Sequence, residues 1–185
     1  MNNKTLDLDF VRNQFPALKK DFIFMDNAGG SQVLGRVVDR ITDYFLNYNV
    51  QLGGSYEVSA NAAKQLKKVH LQLASYINAN RTDEVVVGSS TTMLLRILSL
   101  SLSQQWKPGD EVIVSNSDHE ANVSCWTDLA KKGIVLKIWK INPETFEFEI
   151  DDLKALLTER TKLVAVVHAS NILGTINPIK SFAKT

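Results

Sequence analysis

The sequence predicts an α/β fold in which a parallel-rich sheet is flanked by helices. From residue 84 onward, short apolar runs alternate with stretches of helical periodicity, the pattern of a parallel sheet covered by helices. These runs are rich in Val and Ile at successive positions, as expected for strands buried on both faces. The chain is 44% hydrophobic and 22% charged, an ordinary composition for a globular domain.

Two amphipathic helices precede this alternating region. Apolar residues recur at helical spacing from Val37 to Tyr48 and again from Ala62 to Ile77. The predicted strands that follow are Glu84–Val87, Glu111–Val114, Ile134–Ile141 and Lys162–Val167. The helices predicted between and after them are Met93–Trp106, Glu120–Lys132 with a cap at Gly133, Asp151–Leu157, and a segment that starts near Pro178.

Charge and cysteine content exclude several classes of protein. Lys and Arg number 21 against 20 Asp and Glu, a net charge of +1, so the basic excess of a nucleic-acid-binding domain is missing. No apolar run approaches the roughly 20 residues needed to span a bilayer. The single cysteine, Cys125, cannot form an intramolecular disulfide and is expected to be a structural thiol. We therefore expect a cytoplasmic protein without nucleic-acid or membrane partners.

The first polar cluster that follows a predicted strand is Gly88-Ser89-Ser90-Thr91-Thr92. Hydroxyls and free backbone N–H groups at a helix N-terminus favour phosphate binding. The alternative is an ordinary helix cap, since Ser and Thr are preferred at that position. The segment matches neither the P-loop motif nor the glycine fingerprint of dinucleotide-binding domains.

The second cluster, Ser117-Asp118-His119-Glu120-Ala121-Asn122, follows the strand Glu111–Val114. Its imidazole is able to stack on a flat heteroaromatic ring or to exchange protons near neutral pH. The alternative is again a helix cap, with Asp118 or Ser117 accepting hydrogen bonds from the first N–H groups of the helix.

The third cluster runs from His168 to Thr175 and follows the strand Lys162–Val167. Because the carboxyl ends of parallel strands meet at one edge of the sheet, its Ser170-Asn171 pair is expected near the other two clusters. The alternative gives Asn171 a turn-forming role, with Gly174 at a positive φ. His168 is predicted to be a hydrogen-bonded interior residue. The histidines at 70, 119 and 168 lack the spacing of a metal site.

Six segments taken in order resemble one enzyme family. They are Phe15-Pro16-Ala17-Leu18, Met25-Asp26-Asn27-Ala28, Ser90-Thr91-Thr92, Pro108-Gly109-Asp110-Glu111, Asp118-His119-Glu120-Ala121-Asn122 and His168-Ala169-Ser170-Asn171-Ile172-Leu173-Gly174-Thr175. With them the chain resembles the N-terminal half of a class V aminotransferase, a fold-type I enzyme dependent on pyridoxal 5′-phosphate. Within that family it is most similar to the cysteine desulfurase-like branch.

The resemblance implies a role for each candidate residue. Ser90, Thr91 and Thr92 would hold the cofactor phosphate. His119 would stack on the pyridine ring and take part in proton transfer. Asn171 would bind the phenolic oxygen of the cofactor. The loop Asn27, Ala28, Gly29 would approach the substrate.

The resemblance also implies a domain division and an activity. Residues 1–60 would form an N-terminal arm and helix, and residues 61–185 the first part of the cofactor-binding large domain, incomplete at its C-terminus. The full-length enzyme would be a homodimer acting on an amino acid, with L-cysteine as the substrate and alanine as the product. The Schiff-base lysine of the family has no counterpart here, so the chain alone is expected to be inactive. A non-catalytic binding protein, or an epimerase, lyase or transaminase of the same family, remains the alternative.

Overall fold

The computed structural model describes residues 5–185, which divide into two compact units. The first unit ends at Val86 and the second is Val87–Thr185. The predicted boundary between residues 60 and 61 falls inside a helix of the first unit. The division into an N-terminal arm and a cofactor-binding large domain stays a prediction.

The first unit is helical. Its α-helices are α1 (Leu8–Asn13), α2 (Gly35–Asn47) and α3 (Glu57–Tyr76), with short 3-10 helices at Pro16–Lys19 and Thr82–Glu84. The two predicted amphipathic helices are thereby confirmed as α2 and α3. Their periodicity identified them because apolar residues spaced three and four apart lie on one face of a helix.

The second unit is built on a parallel sheet of three strands in the order β2-β1-β3. The strands are β1 (Glu111–Ser115), β2 (Val135–Trp139) and β3 (Thr161–Ala165). Val112 pairs with Leu136 on one side and with Leu163 on the other. The predicted parallel sheet is confirmed, and three of its four predicted strands are present.

The predicted strand Glu84–Val87 is wrong. Val85 has extended backbone angles, but no ladder joins residues 84–87 to another strand of the described chain. The side chains of Val86 and Val87 are 73% and 57% exposed. A β-branched run predicts extended backbone, whereas a strand also requires a neighbour that completes its hydrogen bonds.

Helices cover both faces of this sheet. They are α4 (Thr91–Leu102), α5 (Ala121–Thr127), α6 (Ile150–Leu156) and α7 (Ile179–Phe182), with 3-10 helices at Ser103–Gln105 and Asp128–Lys132. The predicted helix Glu120–Lys132 is therefore α5 continued by a 3-10 turn. It ends where predicted, because Gly133 takes the left-handed conformation, with φ of 81°. None of the helices in the described part of the chain is long and apolar enough to cross a membrane.

The core lies on both faces of β1. Val112 and Val114 pack on one face with Cys125, Trp126 and Leu129. On the other face, Ile113 packs with Trp139, Phe148 and Leu153. Alternate residues of a strand point to opposite faces, so a strand covered on both sides must be apolar throughout. This arrangement holds β1 rigidly and fixes the point at which its C-terminal end meets the following loop.

Candidate functional site

A cleft of about 730 Å³ lies in the second unit, where the N-terminus of α4 meets the loops that follow β1 and β3. Its lining residues are Thr91, Thr92, Leu95, Asp118, His119, Ala121, Asn122, Val166, Val167, His168, Ala169 and Asn171. The volume is within the usual range for a small-molecule site. The three polar clusters predicted from the sequence thus meet in one cleft.

The first wall of the cleft is the N-terminus of α4. Ser90 caps this helix: its Oγ accepts a hydrogen bond from the Met93 N–H at 3.2 Å, and its carbonyl accepts one from the Leu94 N–H at 3.0 Å. In the described chain this leaves the first two N–H groups of the helix, those of Thr91 and Thr92, without an acceptor. These two N–H groups and the helix dipole favour an anion at this wall.

Ser90 itself differs from its neighbours. It does not line the cleft, and its hydroxyl is already used by the Met93 N–H. The capping alternative considered for this segment is therefore confirmed for Ser90. Thr91 and Thr92 both line the cleft, and their role in binding a phosphate stays a prediction.

The second wall carries His119 in the junction between β1 and α5. The backbone N–H of His119 donates to Oδ1 of Asp118 at 2.7 Å, and its carbonyl accepts from the Asn122 N–H at 2.8 Å. The ring Nδ1 accepts a hydrogen bond from the Ala121 N–H at 3.1 Å. Three local bonds therefore hold both the backbone and the ring of an exposed imidazole at the cleft.

The third wall is a tight hairpin after β3 that carries Asn171. Ala169 and Ile176 form an antiparallel bridge, and the Ser170 N–H donates to the Thr175 carbonyl at 2.9 Å. Gly174 has the positive φ, 73°, that the sequence predicts. The buried Asn177 closes the hairpin, donating from Nδ2 to the Val167 carbonyl at 2.7 Å.

One prediction for this hairpin is wrong. His168 was expected in the interior, but it is exposed and lines the cleft. Residues 166–168 lie beyond the last paired residue of β3, Ala165, so the sheet does not cover the imidazole. The apolar run predicted the strand to continue through Val167, two residues further than its ladder.

The loop Asn27, Ala28, Gly29 belongs to the first unit, where it forms a turn. The Gly29 N–H donates to Oδ1 of Asp26 at 3.1 Å. A Cβ at Gly29 would lie 2.6 Å from Oδ2 of Asp26, so a larger residue here would displace that carboxylate. The role predicted for this loop at the substrate stays a prediction.

Cys125 is a structural residue, as predicted. Its side chain is 3% exposed and belongs to the core between β1 and α5. Burial raises the pKa of its thiol, which keeps the sulfur protonated and unreactive at neutral pH. Cys125 is therefore unsuited to nucleophilic chemistry.

A family model described as aminotransferase class-V matches residues 23–185. The chain belongs to the class-V aminotransferase family. Its matched region includes every residue that lines the cleft, so the cleft is part of a class-V fold.

Named relatives show how this class-V chain compares with whole proteins. It is 44% identical to the aminotransferase-like protein FGM3 of Gibberella zeae, over 99% of this chain and 46% of the relative. It is 33% identical to a cysteine desulfurase of Dickeya dadantii, over 93% of this chain and 43% of that protein. The chain thus spans somewhat less than half the length of the curated relatives it matches.

A solved structure supports the same fold. The apo cysteine desulfurase of Thermococcus onnurineus superposes with a TM-score of 0.86 at 26% identity, over 96% of this chain and 44% of that one. The parallel sheet and its flanking helices are therefore those of the enzymes dependent on pyridoxal phosphate that the sequence resembles.

Sequence reasoning placed Asn122 of this class-V chain in the second cluster without giving it a role, and it did not single out Trp126. Both take part in hydrogen bonds behind His119. A signal was present, since Asp118, Asn122 and Trp126 are spaced four residues apart and such residues are neighbours along a helix.

Proposed function

We propose that the full-length protein is an enzyme dependent on pyridoxal 5′-phosphate that removes sulfur from L-cysteine and leaves alanine. One observation carries the proposal: Thr91, Thr92, His119 and Asn171, which the family resemblance assigns to the cofactor, all line the same cleft. The cysteine desulfurases among the relatives support the choice of substrate.

The wall at α4 fits the phosphate of the cofactor. A phosphate needs several hydrogen-bond donors and a positive local potential. The N–H groups of Thr91 and Thr92 lack an acceptor in the described chain, and the two hydroxyls add further donors. Thr91 and Thr92 would therefore bind the phosphate directly, while Ser90 holds the helix end that presents them.

The other two walls fit a flat, polar ring. His119 offers an imidazole whose Nδ1 is already engaged by the Ala121 N–H, so its ring face and Nε2 are the groups left to contact a ligand. Asn171 sits on a hairpin closed by backbone bonds, and its carboxamide would donate to the phenolic oxygen of the cofactor. When bound, the cofactor supplies an electron sink for the substrate carbanion.

The remaining parts of the proposal concern the rest of the protein. The cofactor lysine and a sulfur-accepting cysteine would come from outside these 185 residues, since Cys125 is buried and no lysine here stands in the family context. The chain by itself would then bind the cofactor without turnover. The homodimer expected of the family belongs to the same proposal.

Titration with pyridoxal 5′-phosphate tests the assignment of the α4 wall. Binding is followed by quenching of tryptophan fluorescence in the wild-type chain, in Thr92→Val and in Ser90→Ala. We expect Thr92→Val to weaken binding about two- to tenfold, the loss of one hydrogen bond, without changing the melting midpoint. Ser90→Ala should lower the stability of the fold by about 1 kcal/mol because the cap is lost. Equal affinity of Thr92→Val and wild type would contradict the assignment.

An activity assay separates this function from its nearest rival. The 44% identity to an aminotransferase-like protein favours a transaminase as the second candidate. The longest native polypeptide that contains this chain is incubated with L-cysteine, and alanine and bound sulfur are measured. Alanine formed in step with sulfur supports the desulfurase. A keto acid formed only with an added amino-group acceptor would establish the transaminase instead.

A further inference from the structure

A line of hydrogen bonds connects His119 to the core behind α5. Nε1 of Trp126 donates to Oδ1 of Asn122 at 3.2 Å, and Nδ2 of Asn122 donates to Oδ2 of Asp118 at 2.8 Å. The other oxygen of that carboxylate, Oδ1, accepts the backbone N–H of His119 at 2.7 Å. We call Asp118, Asn122 and Trp126 the relay.

The far end of the relay is fixed by packing. Trp126 is 3% exposed and lies in the core with Val112 and Val114 of β1. Its ring also stacks on Trp106 at a centroid distance of 6.5 Å. An indole that is packed on all sides has one rotamer available, so the position of its N–H is set by the core.

That fixed donor determines how Asn122 is oriented. An indole N–H donates and never accepts, so the carboxamide must turn its oxygen toward Trp126. Its NH₂ group then faces Asp118, whose carboxylate only accepts. Each bond of the relay has one possible direction, and a flipped amide would lose both partners.

At the end of the relay nearest the cleft, Asp118 sets the orientation of the His119 imidazole. Asp118 holds the backbone of His119, which places Nδ1 opposite the Ala121 N–H at 3.1 Å. A nitrogen that accepts a hydrogen bond carries no proton, so the neutral ring bears its proton on Nε2. The ring is exposed at the cleft, where solvent alone would leave both tautomers populated.

We propose that Asp118, Asn122 and Trp126 are positioning residues that hold His119 in one orientation and one tautomer, with the proton on Nε2. Their use toward a cofactor rests on the proposed function. The positioning itself does not, because every bond in it belongs to the chain. If the relay only capped α5, substitutions in it would lower the stability of the fold and leave the tautomer of His119 unchanged.

Two substitutions interrupt the relay at different bonds. Asn122→Asp keeps an acceptor for Trp126 but replaces the donor to Asp118 by a second carboxylate. Trp126→Phe keeps an aromatic ring in the core and removes the N–H. The matched control is Trp106→Phe, which alters the ring stacked on Trp126 and leaves every relay bond intact.

The ¹⁵N resonances of the histidine side chains report the tautomer directly. The chain has three histidines, and the His119 signals are assigned by their loss in His119→Gln. In the wild type and in Trp106→Phe we expect Nδ1 of His119 to resonate as an unprotonated nitrogen and Nε2 as a protonated one. In Asn122→Asp and Trp126→Phe the two nitrogens should shift toward an averaged position. Unchanged shifts in a folded variant of either kind would overturn the proposal.

Circular dichroism melts identify which variants are folded. Asn122 is only partly buried, so Asn122→Asp provides the test if Trp126→Phe does not fold. The same samples are then titrated with pyridoxal 5′-phosphate. Averaged tautomers without cofactor binding by any protein would refute the proposed function and keep the positioning role. Wild-type tautomers in variants that bind the cofactor normally would refute the positioning role and keep the function.

Discussion

Nη1 of Arg96 lies 2.7 Å from Oδ2 of Asp128, and this ion pair joins α4 to the 3-10 helix that follows α5. Lys131 approaches the other carboxylate oxygen at 3.2 Å. Hydrogen bonds from Lys131 and from Arg96 hold the pKa of Asp128 below its usual range. Because α4 carries Thr91 and α5 follows His119, the ion pair links two walls of the cleft.

Removing the ion pair between Arg96 and Asp128 should have a small effect on stability. Both side chains are 41% exposed, so solvent and salt screen much of the attraction. We expect Arg96→Met, which keeps the apolar stem, to lower the melting midpoint by a few degrees at most in low salt, and by less in high salt. Arg40→Met, which breaks an exposed pair within α2, is the control. If the melting midpoint of Arg96→Met fell equally at both salt concentrations, the effect would come from lost packing and not from the ion pair.

Acid should weaken the second unit through Glu111. Its Oε2 accepts hydrogen bonds from Lys137 at 2.7 Å and from Thr158 at 2.7 Å, and these hold the pKa of Glu111 below its ordinary value. A lowered pKa in the folded chain means that the unfolded chain takes up the proton first. This contribution to stability is therefore complete above the ordinary glutamate pKa of about 4.3 and is lost as the pH falls through the lowered value.

Urea unfolding between pH 7 and pH 3 checks this prediction. Glu111→Gln should be less stable than the wild type at pH 7 and should lose less stability on acidification. Glu144→Gln, at an exposed position, should keep the wild-type dependence. If the free energy of unfolding fell by the same amount with pH in Glu111→Gln and in the wild type, the assignment to Glu111 would be contradicted.

The turn before β2 should not tolerate a side chain at Gly133. Its φ is 81°, and an added Cβ would lie 2.9 Å from Cβ of Pro108. Gly133→Ala therefore combines left-handed strain with a clash, and we expect a loss of about 2 to 4 kcal/mol in the free energy of unfolding. Gly53→Ala is the control, because φ is 87° there and nothing lies within 4 Å of the new methyl group. Equal losses in the two variants would show that the clash contributes nothing.

The sequence predicts the strands and the meeting of the polar clusters well, for a physical reason. A strand covered on both faces must be apolar along its whole length, so β1 stands out from its surroundings. Parallel strands also end at one edge, which brings the residues after Ser115 and after Ala165 together without knowledge of any side-chain contact.

Features that depend on a particular neighbour are harder to predict. Val86 and Val87 have strand composition but lack a partner ladder within the described residues. His168 follows an apolar run, yet it lies past the last paired residue of β3. The bond from Trp126 to Asn122 requires one indole rotamer, which only the packed core selects. Composition and spacing describe the chain, whereas these features arise from contacts in space.

The order β2-β1-β3 has a consequence for the folding kinetics of the second unit. Both ladders are parallel, so neither can begin as a hairpin of neighbouring residues. Glu111 meets Val135 and Thr161 only after a complete crossover has formed on each side of the sheet. The entropy of closing those long loops is lost before the pairings form, which slows folding. Because β1 belongs to both ladders, it is paired as soon as the first crossover closes, and the strand that joins last is an edge strand of the sheet.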